Sequence, residues 1–276
     1  GGEDFGPVRG YVTAYDAQTG KLDWRFYLVP GKPGTHDNAA SDPVMDMAAK
    51  TWTGEWWRYG GGGAAWNSLT YDPDFNRVYI GTGNGDPMNW KIRSPGGGDN
   101  LFIASIVALD ADTGRYVWHY QTTPGDSWDY DAATDMTLAT LTIDGRPRKV
   151  LMNASKNGFF YVIDRATGKL LSADKLGTVT WADHVDMATG RPVLTPGAKY
   201  EHKSIVLWPS FQAVHHWTPQ SFSTRTGLMY EPTLEMPAEF GDTGVDVKNF
   251  HPKAYTPEST GLSLGAGDVP RDAGHS

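Results

Sequence analysis

Apolar positions along this chain fall in short runs, as in Gly10-Tyr11-Val12-Thr13-Ala14-Tyr15, Arg77-Val78-Tyr79-Ile80-Gly81 and Phe159-Phe160-Tyr161-Val162-Ile163-Asp164. Runs this short and this rich in β-branched and aromatic residues predict strands, where such side chains pack on a pleated surface. Polar turn formers follow almost every run: Thr19-Gly20, Pro73-Asp74, Thr113-Gly114, Asp144-Gly145, Thr167-Gly168, Thr189-Gly190 and Thr226-Gly227. Each Thr-Gly suits a hairpin whose glycine takes positive φ. Helix content is expected to be low. The best helical candidate is Asn38 to Lys50, where Ala39, Ala40, Val44, Met45, Met47 and Ala48 predict an insertion between strands.

One phrase is repeated. Ala14-Tyr15-Asp16-Ala17-Gln18-Thr19-Gly20-Lys21-Leu22-Asp23-Trp24 recurs, with the same spacing of small residue, Asp, Thr-Gly and Trp, at Ala108 to Trp118. The strand-closing residues Asp16, Asp72, Asp110, Asp164 and Ser223 lie 56, 38, 54 and 59 residues apart. A period of about fifty residues is the size of one four-stranded propeller blade with its connection. The expected fold is therefore an all-β propeller. Residues 1–260 hold about five blades' worth of it, some incomplete, and 261–276 form a flexible or truncated tail. Ala14 and Ala108 fit the small residues that the inner, narrow part of a wedge-shaped blade requires. The Trp after each turn can lie flat between neighbouring blades, where burying an indole contributes a few kcal/mol, roughly, by area. A third copy, Val162 to Ser172, keeps Asp164 and Thr167-Gly168 but has Ser172 where Trp is expected.

Composition removes several function classes. The chain has 24 basic and 32 acidic residues, a formal charge of -8, and no Lys/Arg run. Nothing here would hold a phosphate backbone, so nucleic acid is excluded as a partner. No stretch approaches the length of an apolar transmembrane span. With 0 cysteines there is no disulfide, thiolate nucleophile, zinc ribbon or covalent haem motif within these residues. The start at Gly1-Gly2-Glu3-Asp4 and the Gly-, Pro- and Asp-rich end read as a segment of a longer protein.

Three oxygen-bearing residues stand in glycine- or aromatic-rich strand ends: Asp4, Asn84 and Asp129. Carboxylates and an amide from separate loops are what a hard cation such as Ca2+ requires, although Asp and Asn beside Gly also serve as plain turn formers. Their spacing is not that of an EF-hand. Gly60-Gly61-Gly62-Gly63-Ala64-Ala65-Trp66 lacks the Lys-Ser/Thr of a phosphate loop. It could let backbone run beneath a flat ligand with Trp66 as an aromatic floor, or Trp66 could be one more core Trp among 11. His215 and His216, read as neighbours on a strand, would point to opposite faces and not share a ligand. No Gly-x-Ser-x-Gly or ordered triad is present.

Taken in order, Gly1-Gly2-Glu3-Asp4 with Arg9-Gly10-Tyr11, Gly60 to Trp66, Gly81-Thr82-Gly83-Asn84, Gly98-Asp99-Asn100-Leu101, Trp118-His119-Tyr120-Gln121, Thr123 to Tyr130 and Lys156-Asn157-Gly158-Phe159-Phe160 form a series. Over about residues 1–235 this series resembles the pyrroloquinoline-quinone-dependent alcohol dehydrogenases, a family of eight-bladed propellers. The resemblance implies a quinone on the propeller axis with Trp66 on one ring face, Gly2, Glu3 and Ala64 beside it, and Lys156 bonded to its oxygens. It implies a Ca2+ held by Asp4, Asn84 and Asp129, with Asp129 also taking the alcohol proton. It further implies a primary alcohol larger than methanol as substrate, a cytochrome c or another electron acceptor, a periplasmic location, and a haem c domain, if any, beyond Ser276.

The departures from the family pattern matter. Asp4 stands where the family has Glu, and Glu3 where it has a small residue, so either carboxylate could be the ligand. Ala64 replaces a Thr that commonly bonds the cofactor, and the family's adjacent-cysteine disulfide lies upstream of Gly1. Asp131, two residues after Asp129, resembles the added carboxylate of lanthanide-dependent members. Asp4, Asp129 and Asp131 would supply the charge that suits a trivalent ion, while a solvated turn Asp is the other reading. A different class of function is a non-enzymatic propeller that binds or assembles proteins. It would need the repeat but not the set Asp4, Trp66, Asn84, Asp129 and Lys156. The segment alone could be inactive, since an open ring exposes strand edges.

Overall fold

The computed structural model describes residues 7–67, 69–251 and 260–263, and the architecture within them is antiparallel sheet. Strands β1 (Tyr11–Tyr15) and β2 (Leu22–Tyr27) form one hairpin. Strands β3 (Thr70–Asp72), β4 (Arg77–Gly81), β5 (Ser105–Asp110) and β6 (Tyr116–Gln121) form a four-stranded meander, and β7 (Met136–Ile143), β8 (Arg146–Ala154), β9 (Phe159–Asp164) and β10 (Leu170–Lys175) form a second. Three two-stranded pairs follow: β11 (Ala182–Asp186) with β12 (Arg191–Leu194), β13 (Ile205–Leu207) with β16 (Ala238–Phe240), and β14 (Ser221–Ser223) with β15 (Leu228–Tyr230). Two of the predicted runs became β4 and β9 residue for residue. Helix is scarce, as expected. Helix α1 (Asp42–Ala49) lies inside the predicted span, starts with a proline in its first turn and buries Val44, Met45 and Ala48. A single-turn helix α2 (Trp90–Arg93) and a 3-10 turn at Trp56–Arg58 were not foreseen.

The repeat explains how successive sheets join. Asp16 Oδ1 accepts the Thr19 N–H and hydroxyl at 2.6 and 2.7 Å, and Asp110 does the same with Thr113 at 2.9 and 2.6 Å. These bonds hold both carboxyls below the usual range, the Thr hydroxyl being the largest cause in each. The Asp110 turn thereby presents Gly114, and the equivalent Asp164–Thr167 turn presents Gly168, at φ 67° and 74°, to the neighbouring sheet. Trp24 Nε1 donates to the Ala111 carbonyl at 3.0 Å, and its ring lies where a Cβ on Gly114 would stand. Trp118 repeats the arrangement on the Arg165 carbonyl, at 3.1 Å, and Gly168. Each indole thus clasps the Thr-Gly turn of the next sheet.

Two details differ from the wedge argument. Ala14 and Ala108 lie directly across the ladder from Trp24 and Trp118, and Ala108 sits on the third strand of its sheet. The small residue makes room for the indole opposite rather than narrowing an inner strand. Strand β3 also meets the next sheet, where the Thr70 hydroxyl donates to the Met136 carbonyl of β7 at 3.2 Å. Where Ser172 replaces the third Trp, the next Thr-Gly turn, Thr189-Gly190, meets the Tyr120 ring instead of an indole, and Gly227, unlike Gly168, has nothing within 4 Å of a Cβ.

Both glycines take positive φ, so alanine at either costs about 1–2 kcal/mol of backbone strain. Gly168→Ala is expected to cost about 1–3 kcal/mol more than Gly227→Ala, because its methyl must enter the Trp118 ring. Urea unfolding of the two variants measures the difference, and equal losses would show that the indole clasp contributes nothing.

Candidate functional site

Four chain segments run side by side and carry the site. The Gly83 N–H donates to the Ala64 carbonyl at 2.9 Å, Ala132 N–H to Thr82 at 3.0 Å, and Lys156 N–H to Asp131 at 3.2 Å. Trp66, Asn84, Asp129, Asp131 and Lys156 therefore stand on adjoining backbone although they are far apart in sequence. Glycine makes the close approach feasible. Residues 60–63 all take positive φ, and a Cβ on Gly62 would fall 2.4 Å from the Asn84 carbonyl oxygen, one on Gly10 2.1 Å from that of Gly63. The expectation that this run passes beneath a flat ligand is corrected at Gly60 and Gly62, where what presses against the backbone is more backbone.

The charged centre is a buried ammonium between two carboxylates. Lys156, two residues past β8 and 1% exposed, places Nζ 2.8 Å from Asp129 Oδ2 and 3.2 Å from Asp131 Oδ2. Burial would push this ammonium's pKa down, but the two carboxylates outweigh it and raise the pKa, so the lysine stays charged. Asp131 Oδ1 is buried with no hydrogen-bond partner, and Asp129 is the more open acid, its side chain 19% exposed.

Asp129 projects from a loop that is otherwise tied into the protein. Trp128 Nε1 donates to the Ala198 carbonyl, Tyr130 Oη to Pro209, Thr123 Oγ1 to the Tyr130 carbonyl, and Ser155 Oγ to that of Asp131. The buried guanidinium of Arg93 donates to the carbonyls of Pro87 and Met88 on the Asn84 side and of Asp126 on the Asp129 side, so it joins the two loops. A Cβ at Gly85 would strike that guanidinium. Burial first, and then the Asp131 charge, push the Asp126 carboxyl up to about 6.

Trp66 is half-buried, with Nε1 buried and unpartnered, and its ring lies 5.9 Å from that of His216 at an interplanar angle of 32°. Burial, with Lys156 adding to it, pushes His216 down to about 4, so this imidazole is neutral at pH 7. His216 also lines an open cleft of roughly 220 Å3 with Val214, Trp217 and Leu234. His215 faces elsewhere, its Nδ1 3.1 Å from the Pro232 carbonyl and 3.2 Å from Glu231 Oε2. The two histidines do have separate neighbours, but they lie on an irregular segment and not on the strand read for them.

Asp129, Asp131 and Lys156 are thus in direct contact, with Trp66, Asn84 and the Ala64 carbonyl on the adjoining segments. Asn84 is buried and its Nδ2 donates to the Gly85 carbonyl at 3.1 Å. The expected contributions of Gly2, Glu3 and Asp4 lie outside the described residues. Among the described residues no group of three or more His, Cys, Asp or Glu is placed to hold a metal ion. The donor set that is present, two carboxylates with one buried oxygen unpartnered and an amide nearby, still has the chemistry of a hard-cation site. The sequence reading did not place His216 against Trp66, and gave no role to Asp126 or Arg93. A lone Asp three residues before Asp129 was their nearest signal. No helix among the described residues is long and apolar enough to cross a membrane.

Residues 2–174 match the sequence family described as the PQQ glucose/ethanol/alcohol dehydrogenase beta-propeller domain. The chain is 56% identical over 247 residues to quinohemoprotein alcohol dehydrogenase ADH IIB of Pseudomonas putida, a match covering 89% of this chain and 35% of that protein. The chain therefore spans about a third of the length of this curated relative. The crystal structure of quinohemoprotein alcohol dehydrogenase from Comamonas testosteroni superposes with a TM-score of 0.88 at 45% identity, covering 96% of this chain and 40% of that one. A europium-containing methanol dehydrogenase superposes with a TM-score of 0.75 at 34% identity, covering 85% of this chain and 42% of that one.

Proposed function

Because the chain belongs to the PQQ-dependent quinohaemoprotein alcohol dehydrogenase family, a propeller fold, we propose that it forms part of an enzyme oxidising an alcohol to its carbonyl compound. The observation that carries this reading is the Lys156 ammonium between Asp129 and Asp131, on segments that adjoin Trp66 and Asn84. A protein-binding propeller would have no use for a buried charge cluster of this kind beside an indole.

When bound, pyrroloquinoline quinone supplies the hydride acceptor and the cation supplies Lewis-acid polarisation. Asp129 accepts the alcohol proton on its carboxylate as hydride leaves the substrate carbon, since it is the more open acid of the cluster and its Oδ2 lies 2.8 Å from Lys156 Nζ. Lys156 orients that carboxylate and would place positive charge near a bound quinone. Trp66 offers its face to a planar ring, with His216 neutral behind it. Asp129, Asp131 and Asn84, together with Asp4 or Glu3, would hold the cation.

Ca2+ is the first reading for that ion, because Lys156 already offsets one of the carboxylate charges. The unpartnered Asp131 Oδ1 favours a lanthanide as the second, and likeness to the europium-containing methanol dehydrogenase supports it. The periplasmic location, the alcohol's identity and a cytochrome c acceptor remain parts of the proposal.

Titrating the complete protein with pyrroloquinoline quinone and either Ca2+ or La3+ tests it. Tryptophan fluorescence is expected to quench, and alcohol-dependent dye reduction to appear. Trp66→Ala should weaken quinone binding about tenfold, the upper end of an aromatic stacking contribution. No quenching with either ion would end the proposal, and full activity with Ca2+ alone would remove the lanthanide reading.

A further inference from the structure

In the stretch Asp126-Ser127-Trp128-Asp129-Tyr130-Asp131, the residues other than Asp129 are buried, and Asp129 takes φ 68°. A left-handed backbone at a residue with a side chain costs about 1–2 kcal/mol, so the surrounding structure must hold it there. Asp126 Oδ1 accepts the N–H of Trp128 at 3.2 Å and that of Tyr130 at 3.1 Å. One carboxylate oxygen therefore takes the amides immediately before and after Asp129 and bridges the residue between them. Bonds to an ionised acceptor are the strong kind, and this acceptor is fully enclosed. Its own backbone is fixed in turn, because Arg93 donates to the Asp126 carbonyl.

We propose that Asp126 is a positioning residue for the proposed base, holding Asp129 in its left-handed conformation so that its carboxylate stays against Lys156 and toward the substrate. This rests on the reading of Asp129 as the base. Without the bridge, Asp129 relaxes to an ordinary φ and its carboxylate swings off the ammonium. Asn at position 126 retains the accepting oxygen, and Oδ2, the atom it would replace by NH2, has no hydrogen-bond partner to lose. The conservative variant therefore keeps the bridge while alanine abolishes it.

The test uses the complete enzyme loaded with quinone and cation. Asp126→Ala is expected to lower kcat about 10^2-fold with KM little changed, the scale of a small misplacement of a catalytic group. Asp126→Asn should stay within about tenfold of the parent, since both bonds to Oδ1 are retained and only their charge is lost. Asp126→Ser, too short to reach both amides, replaces the alanine variant if that protein does not fold. An unchanged kcat in Asp126→Ala would overturn the inference. So would a fall in kcat accompanied by an equal loss of quinone affinity, or one that Asp126→Asn shares in full. Asp129→Asn run in parallel separates the two ideas: if it stays active, the base assignment fails, and if it is inactive while Asp126→Ala is active, the positioning role alone fails.

Discussion

Replacing Asp129 by Asn in the complete, quinone-loaded protein is expected to lower alcohol turnover about 10^2–10^4-fold, the usual contribution of a positioned general base. Asn has nearly the same shape and tolerates positive φ, so the φ 68° backbone and the loop around it survive the change. What disappears is the proton-accepting charge and half of the anionic partnership of Lys156, whose Nζ retains Asp131 at 3.2 Å. Steady-state dye reduction gives kcat and KM, and quinone fluorescence titration gives binding separately. A large fall in kcat with quinone affinity held within about tenfold matches a group that acts in the transition state. Turnover within about threefold of the parent would transfer the proton to another acceptor and sink the assignment.

Arg93→Met should destabilise the fold by about 3–5 kcal/mol, the range for removing one partner from a buried charged network. The guanidinium is fully buried and meets the Pro87, Met88 and Asp126 carbonyls and Asn100 Oδ1, which have no access to water once it is gone. Methionine fills much of the same volume, which isolates the loss of donors from the loss of packing. Arg93→Lys should rescue little, because a single ammonium cannot fork toward carbonyls on two loops. Denaturant unfolding is the measurement, with a lowered midpoint at unchanged slope expected. A loss below about 1 kcal/mol would mean that other contacts hold the two loops together.

What could be read in the sequence was what is encoded locally. The Thr-Gly turns, their Asp caps and the strands β4 and β9 depend on neighbours within a few residues, and each appears where the pattern put it. The interlocking of Trp24 with Gly114 was legible because a repeat supplies both halves of the joint. The Lys156–Asp129 contact joins residues 27 positions apart, and no spacing rule reveals it. Family resemblance pointed to both residues, and the geometry then brought them to 2.8 Å. Arg93 and Asp126 stayed hidden because most of the partners described for them are backbone groups, which leave no residue-type signature. Of the glycines at 60–63, Gly60 and Gly62 press against backbone and Gly61 and Gly63 against the Val29 side chain, contacts that the sequence run by itself does not specify.

The indole clasps have a direction. In each, the earlier sheet supplies the Trp and the later one supplies the turn that covers it, as Trp24 waits for Gly114 and Trp118 for Gly168. A chain emerging from the ribosome therefore exposes a bare indole until the next sheet has been synthesised, which couples the folding of each sheet to the translation of its successor. The sheet of β7–β10, with Ser172 in the place of the indole, has no such bare ring to cover.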